Sequence, residues 1–313
     1  MQGEKSKMDK ALRLLSPGLA QPFYNMSDRR RVDIDEIRLR NKRYLTAVVK
    51  GNEYYITPSG SFSVDSDNAV QIAQEEIDYT YKTALRNSIY SFEREISLGY
   101  IITEGGNRVG FCGTAVLNDR EKNDTLKNIS SISIRIAREI FGLADELIDK
   151  LGLHNTGIKN VLILGPPSSG KTTLLRDLCR QIGRSKRISL IDEKNEISAS
   201  FKGSPQNNVG NFTDVFDSYT KYYGILSAVK IMSPQLIICD EIGTKEDLRS
   251  LDYAINSGVN IIATMHSNSI DDAFRKPYMK ELFKRNAFEY IVLLGTGDNL
   301  GKVISIRKVE INS

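Results

Sequence analysis

The spacing of apolar residues changes near the middle of the chain. In the first half they alternate with polar ones. IDEIRLR (34–40) sets Ile34, Ile37 and Leu39 among charges, as expected of a strand with one face on a core. YLTAVVKG and EYYITPSG meet at Gly51 and Asn52 and predict a short hairpin. ISLGYIITEGGNRVGFCGTAV (96–116) predicts a second hairpin, turning at Glu104-Gly105-Gly106-Asn107, where glycine supplies the positive φ of such turns. NISSISIRIAREI (128–140) opens as an alternating strand through Ile129, Ile132, Ile134 and Ile136. It runs on into REIFGLADELIDKLG, whose apolar spacing is helical. LHNTGIKN (153–160) then reads as a linker, with Asn155-Thr156-Gly157 ending the helix. From Val161 the alternation stops. VLILG, RISLID, QLIICD, NIIAT and YIVLLG are unbroken apolar runs, most of them separated by helix-length segments. That pattern predicts parallel strands buried on both faces. The expectation is a smaller, β-rich α+β domain over 1–155, then a compact α/β domain over 156–313.

The first apolar run leads into a recognisable loop. VLILGPPSSGKTTLL (161–175) is a strand, then Gly165, Pro166, Pro167, Ser168, Ser169, Gly170, Lys171 and Thr172, then an amphipathic helix that opens with Thr173. This is GxxxxGK[ST] in the strand–turn–helix setting that gives it meaning. A loop with glycine at both ends can turn its backbone N–H groups onto phosphate oxygens, and the helix adds its positive end. Lys171 is placed to reach the β- and γ-phosphates, and Thr172 offers a hydroxyl to Mg2+. The expected cofactors are therefore ATP and Mg2+, on a RecA-like P-loop NTPase core. QLIICDEIG (235–243) ends a buried run in Asp240-Glu241; Asp240 would hold Mg2+, directly or through water, and Glu241 would polarise the attacking water. Asp192-Glu193 end another run, and Thr264 and His266 a third. Ligands of α/β sheets bind at the carboxyl ends of strands, so these ends should gather around one nucleotide. Glu193 and Glu241 both remain candidates for the water-orienting role, with Glu241 preferred, and His266 is the candidate γ-phosphate sensor.

Composition narrows the alternatives. A net charge of +4 over 313 residues is too weak and too dispersed to indicate nucleic acid. Arg29, Arg30 and Arg31 are flanked by Asp28, Asp33 and Asp35 and read as a solvated turn. No run approaches the ~20 apolar residues of a membrane span, and the first residues carry no apolar signal core, so the expected location is cytoplasmic. Cys112, Cys179 and Cys239 form no CxxC pair and have only His154 and His266 to join them, which disfavours zinc. Cys179 and Cys239 read as small core residues. Asp240-Glu241-Ile242-Gly243 and Thr244-Lys245-Glu246-Asp247 also fit a loose GTPase pair, DxxG and TKxD. They abut, however, and one loop cannot serve both ends of a nucleotide.

The order of P-loop, Asp192-Glu193, Asp240-Glu241 and TMH resembles that of the type II/IV secretion ATPases. The chain more closely resembles the stage III sporulation protein AA family. The carrying stretches are EIRLR, EREISLGYIITEGGNRVGFCGTAV, NISSISIRIAREI, GPPSSGKTTLLRDL, SLIDEKNEI, GSPQNNVGNFTDVFD, MSPQLIICDEIG and NSGVNIIATMHS. The resemblance implies a cytoplasmic ATPase of the mother cell of a sporulating bacterium, energising a channel to the forespore. It further implies docking on a membrane-bound partner protein and assembly as a homo-oligomer, a hexameric ring. Arginines usual in that family are replaced here by Lys194, Phe212 and Thr244, so the catalytic arginine is expected elsewhere: Arg135 or Arg138 first, then Arg94 or Arg108. Two other readings remain open, a nucleotide-switched binding module with little turnover and a nucleic-acid-binding RecA-like ATPase.

Overall fold

The computed structural model describes residues 2–86, 96, 99–117, 123–153, 157–285 and 287–309. Arg94, His154 and residues 155–156 of the expected linker lie outside them. The chain forms two compact units, 1–138 and 139–313.

In the first unit, helices α1 (Gln2–Leu12), α2 (Pro17–Asn25), α3 (Asp28–Val32) and α4 (Gln74–Ala84) accompany an antiparallel sheet. Its strands are β1 (Ile34–Arg40), β2 (Thr46–Val49), β3 (Asn52–Ile56), β4 (Phe62–Ser63), β5 (Tyr100–Ile102), β6 (Arg108–Leu117) and β7 (Asn123–Arg135), in the order β4-β3-β2-β1-β7-β6-β5. One face is dry. Ile37, Leu39, Ile132, Ile134 and Val109 join Met8, Leu12, Leu19, Phe23 and Ile77 of the helices in one core. The other face carries Arg38, Arg40, Arg108, Ser131, Ser133 and Arg135 around a depression. Both expected hairpins form. The first turns on Lys50-Gly51, one residue earlier than expected: Val49 pairs with Asn52, and Lys50 and Gly51 have φ +49 and +83°, the two positive values a type I′ turn requires.

The second unit contains α5 (Asp145–Leu151), β8 (Val161–Gly165), α6 (Lys171–Ile182), β9 (Ile188–Asp192), β10 (Thr213–Asp217), α7 (Lys221–Ser227), β11 (Leu236–Cys239), α8 (Lys245–Asn256), β12 (Asn260–His266), α9 (Ile270–Arg275), α10 (Pro277–Lys284), β13 (Tyr290–Leu294) and β14 (Val303–Lys308). The sheet order is β10-β9-β11-β12-β8-β13-β14. It is parallel except for β14, which pairs antiparallel with β13. Successive residues of one strand serve opposite cores. Val161 and Ile163 pack with α5 and α6, while Leu162 and Leu164 pack with residues of α7 to α10. Burial on both faces explains why these strands read as unbroken apolar runs. Each fully buried Leu or Ile contributes roughly 1.5–3 kcal/mol. Cys179 and Cys239 are fully buried in these cores as free thiols, and burial pushes both pKa values well up.

The helix expected from Arg138 begins only at Asp145. Gly142 takes φ +83°, which interrupts a right-handed helix. The guanidinium of Arg138 is meanwhile held by the carbonyls of Val32 and Ile34. Ala144, Leu147, Ile148 and Leu151 bury against β8 and α6, so segment 139–155, read from the sequence with the first domain, belongs to the second unit.

Candidate nucleotide site

The strand β8 delivers the chain to its loop with no room to spare. A Cβ on Gly165 would lie 2.3 Å from Ser169 Oγ. Gly170 has φ +91° and caps α6, and a Cβ there would lie 3.0 Å from Gly301 Cα. The loop after β13 closes this end: the Gly301 N–H donates to Ser169 O at 3.1 Å. Ser168, Ser169, Gly170, Thr172 and Thr173 line a cavity of about 460 Å³ together with Lys171, Asp240, Glu241, Thr264 and His266. The sequence-derived groups are thus brought to one place, with the exceptions given below.

Lys171 is buried, and its ammonium donates to Gly165 O at 2.8 Å and Pro166 O at 2.7 Å. Burial lowers its pKa, with Glu241 opposing. It also lies 3.1 Å from His266 Nδ1. An ammonium only donates, so Nδ1 accepts and Nε2 carries the ring proton. That nitrogen meets Glu241 Oε1 at 2.9 Å, and Glu241 Oε2 takes the ammonium of Lys194. Burial alone would raise the Glu241 carboxyl; Lys194 and His266 outweigh it and hold it below the usual range. Its backbone is set in an unusual conformation, φ +36°. Thr264 fixes it there, accepting the Glu241 N–H on Oγ1 at 2.8 Å and the Ile242 N–H on its carbonyl at 2.8 Å. Lys194, Glu241, His266 and Lys171 therefore form one chain of contacts from the end of β11 to the phosphate loop.

Asp240 is 4% exposed, and burial raises its carboxyl to about 6 despite Lys221. Its Oδ1 is buried without a hydrogen-bond partner. An orphaned carboxylate oxygen and the Thr172 hydroxyl lining the same cavity suit a hard cation. Among the described residues no three His, Cys, Asp or Glu side chains converge as a metal site, so such an ion would also need phosphate oxygens. The donor set fits Mg2+ arriving with a nucleotide, held by Asp240 and Thr172.

A pH dependence follows. The carboxyl keeps its proton in the folded chain up to about 6 but ordinarily ionises near 3.8. Its protonated form therefore stabilises the fold fully below 3.8, and that contribution is lost as the pH rises through about 6. Magnesium needs the ionised form. The affinity for Mg2+·ADP relative to metal-free ADP is expected to fall about tenfold per pH unit below 6. Titration calorimetry between pH 5 and 8 checks this; a flat ratio, or one unchanged by Asp240→Asn, contradicts it.

Asp192 and Glu193 part company. Asp192 is fully buried and accepts from the backbone of Glu196, Ile197 and Ser198, which makes it the organiser of the loop after β9. Glu193 lines a second cavity, about 810 Å³, beyond Glu241. Its Oε2 takes the ammonium of Lys221. Burial pulls the Lys221 pKa down, but Glu193 and Asp240 outweigh it and the ammonium lies above the usual lysine value. Sequence reasoning misses Lys221, because a lysine opening the helix KYYGILS looks solvated. The accidental GTPase match has a plain job: Thr244 caps α8, with Oγ1 accepting the Asp247 N–H at 3.1 Å and Asp247 accepting the Thr244 N–H at 2.9 Å, a capping box. Arg135 and Arg138 both lie in the first unit. Arg138 pairs with Asp35 at 2.9 Å; Arg135, 64% exposed, is 3.6 Å from Glu36.

Comparison with known proteins places this arrangement. An X-ray structure of the Legionella pneumophila ATPase DotB superposes with a TM-score of 0.53 at 13% identity, over 88% of this chain and 77% of that one. A crystal structure of the pilus retraction motor PilT with bound ADP gives 0.54 at 15%, over 83% and 74%. Both likenesses show the fold: a RecA-like P-loop core with a smaller α+β unit before it. Stage III sporulation protein AA of Bacillus subtilis (strain 168) is 32% identical over 305 residues, 96% of this chain and 94% of its own length. The uncharacterized protein ycf45 of Porphyra purpurea is 26% identical over 227 residues, 69% of this chain and 38% of its own. Residues 5–310 match the family described as sporulation stage III, protein AA, and the chain belongs to that family.

Proposed function

We propose that this protein is a Mg2+-dependent ATPase that works as a motor in a ring of identical subunits, probably best pictured as six, energising a sporulation channel between mother cell and forespore. The carrying observation is the convergence of Lys171, Thr172, Asp240 and Glu241 on one phosphate-sized cavity. Lys171 and the loop N–H groups bind phosphates, and Mg2+ held by Asp240 and Thr172 would neutralise charge on the transferring oxygens. Glu241 orients the attacking water, and His266 carries the state of Lys171 to Glu241. Among the described residues no helix is long and apolar enough to cross a membrane. The proposed place of work is the cytoplasmic face of the membrane, reached through a membrane-bound partner.

No arginine is among the described residues lining the cavity. Phosphoryl transfer spreads charge that a guanidinium stabilises well, and we assign that role to Arg135, supplied by a neighbouring subunit. Arg138 is the lesser candidate because it already serves Asp35 and two backbone carbonyls. The test is specific activity against protein concentration. It should rise with concentration, and Arg135→Ala should lower it about a hundredfold while nucleotide binding persists. Mixing Arg135→Ala with Lys171→Ala should restore part of the activity. Activity independent of concentration, with no restoration on mixing, rejects the shared site. ATP binding without turnover at every concentration leaves the switch reading in its place.

A further inference from the structure

The carboxylates at the ends of β9 and β11 stand side by side. Ile191 pairs with Cys239, so Asp192 and Asp240 leave adjacent strands together, with Glu193 next in line. Their charges would repel in a buried setting, yet one cation is already among them. Lys221 is 7% exposed. Its ammonium pairs with Glu193 Oε2 and lies 3.9 Å from Asp240 Oδ1, the oxygen that has no hydrogen bond.

The position is a costly one for lysine. Its flexible side chain is immobilised and its charge is largely removed from water. It is also the first residue of α7, where the helix presents its own positive end. An apolar side chain would fill the space without these costs. What Lys221 adds is a positive charge on the two carboxylates that face the metal position.

We propose that Lys221 is a resident counter-cation: it neutralises Glu193 and Asp240 while no nucleotide is bound, so the site does not retain divalent metal by itself and takes Mg2+ only together with phosphate. This rests on the reading of the cavity as a Mg2+·nucleotide site. Lys221 is a positioning residue, acting through the two carboxylates. Its charge keeps them apart from a free ion but is too weakly placed on Asp240, at 3.9 Å and without a hydrogen bond, to compete with a metal that phosphate oxygens also hold.

The experiment uses the full chain and Mn2+ as a probe for Mg2+, with bound and free ion separated by electron paramagnetic resonance. Without nucleotide, the wild type is expected to bind Mn2+ negligibly. Lys221→Met is expected to bind it about tenfold or more tightly, and to gain thermal stability from Mn2+ alone where the wild type gains none. Lys221→Arg, which keeps the charge, is expected to behave as wild type. Should Lys221→Met fail to fold, the charge-balanced pair Lys221→Met with Glu193→Gln replaces it, since Asp240 there still lacks its cation. Equal Mn2+ binding by wild type and either neutral variant overturns the proposal. If wild type responds to Mg2+·ADP in the same melting assay, that failure is the proposal's alone. No response of wild type to Mg2+·ADP overturns the nucleotide reading and the proposal with it.

Discussion

Glu241→Gln is expected to leave ATP bound and to lower turnover by roughly 10²- to 10⁴-fold. The amide matches the carboxylate in shape and still offers an oxygen to Lys194, so the loop should keep its form. It cannot take a proton or polarise water as an anion does. Glu241 is also the carboxylate that faces the phosphate loop, whereas Glu193 faces the neighbouring cavity. Glu193→Gln should therefore cost less than Glu241→Gln. Steady-state hydrolysis beside equilibrium binding of a fluorescent ATP analogue separates the two effects. A larger loss in Glu193→Gln would transfer the water-orienting role to that residue.

Lys171→Ala is expected to lower kcat/KM by about 10³-fold or more, and here binding falls along with turnover. The ammonium would meet phosphate oxygens in both ground and transition states, with the greater charge in the latter. The change also strips His266 of its partner on Nδ1, so the hold on Glu241 loosens at the same stroke. Stability should barely move, because the ammonium bonds only to its own loop and to His266. A melting curve, a calorimetric ADP titration and an activity assay on one preparation test all three statements. Retained activity would remove Lys171 from the phosphate-binding role.

Local features were the legible ones. Strand, loop and helix of the phosphate site are contiguous from Val161 to Ile182, and every residue there obeys short-range rules of φ, apolar run and helix start. The central strands were equally plain because both faces are buried. Strands β10 and β14 were not, since they form the sheet edges, and most of their residues are only half-buried or exposed, which dilutes the apolar signal. The N-terminal helices escaped notice for a related reason: α1 buries Met8, Ala11 and Leu12 within a run crowded with lysines. Least legible were the long-range pairings. Nothing near Lys221 announces Glu193, which is 28 residues away, and nothing near Thr264 announces the N–H of Glu241. Such contacts come into being only when strand order is known.

The closure of the phosphate loop by Gly301 has a consequence for how this protein tolerates change. Surface loops between strands ordinarily accept insertions with little penalty. The connection from β13 to β14 is denied that freedom. Its Gly301 N–H is the partner of Ser169 O, and its Cα leaves no space for a side chain on Gly170. Lengthening it would disturb a glycine some 130 positions earlier in the chain, because residues 170 and 301 share one van der Waals surface. For splitting, permuting or tagging the protein internally, this loop belongs with the active centre, however peripheral its edge-strand address.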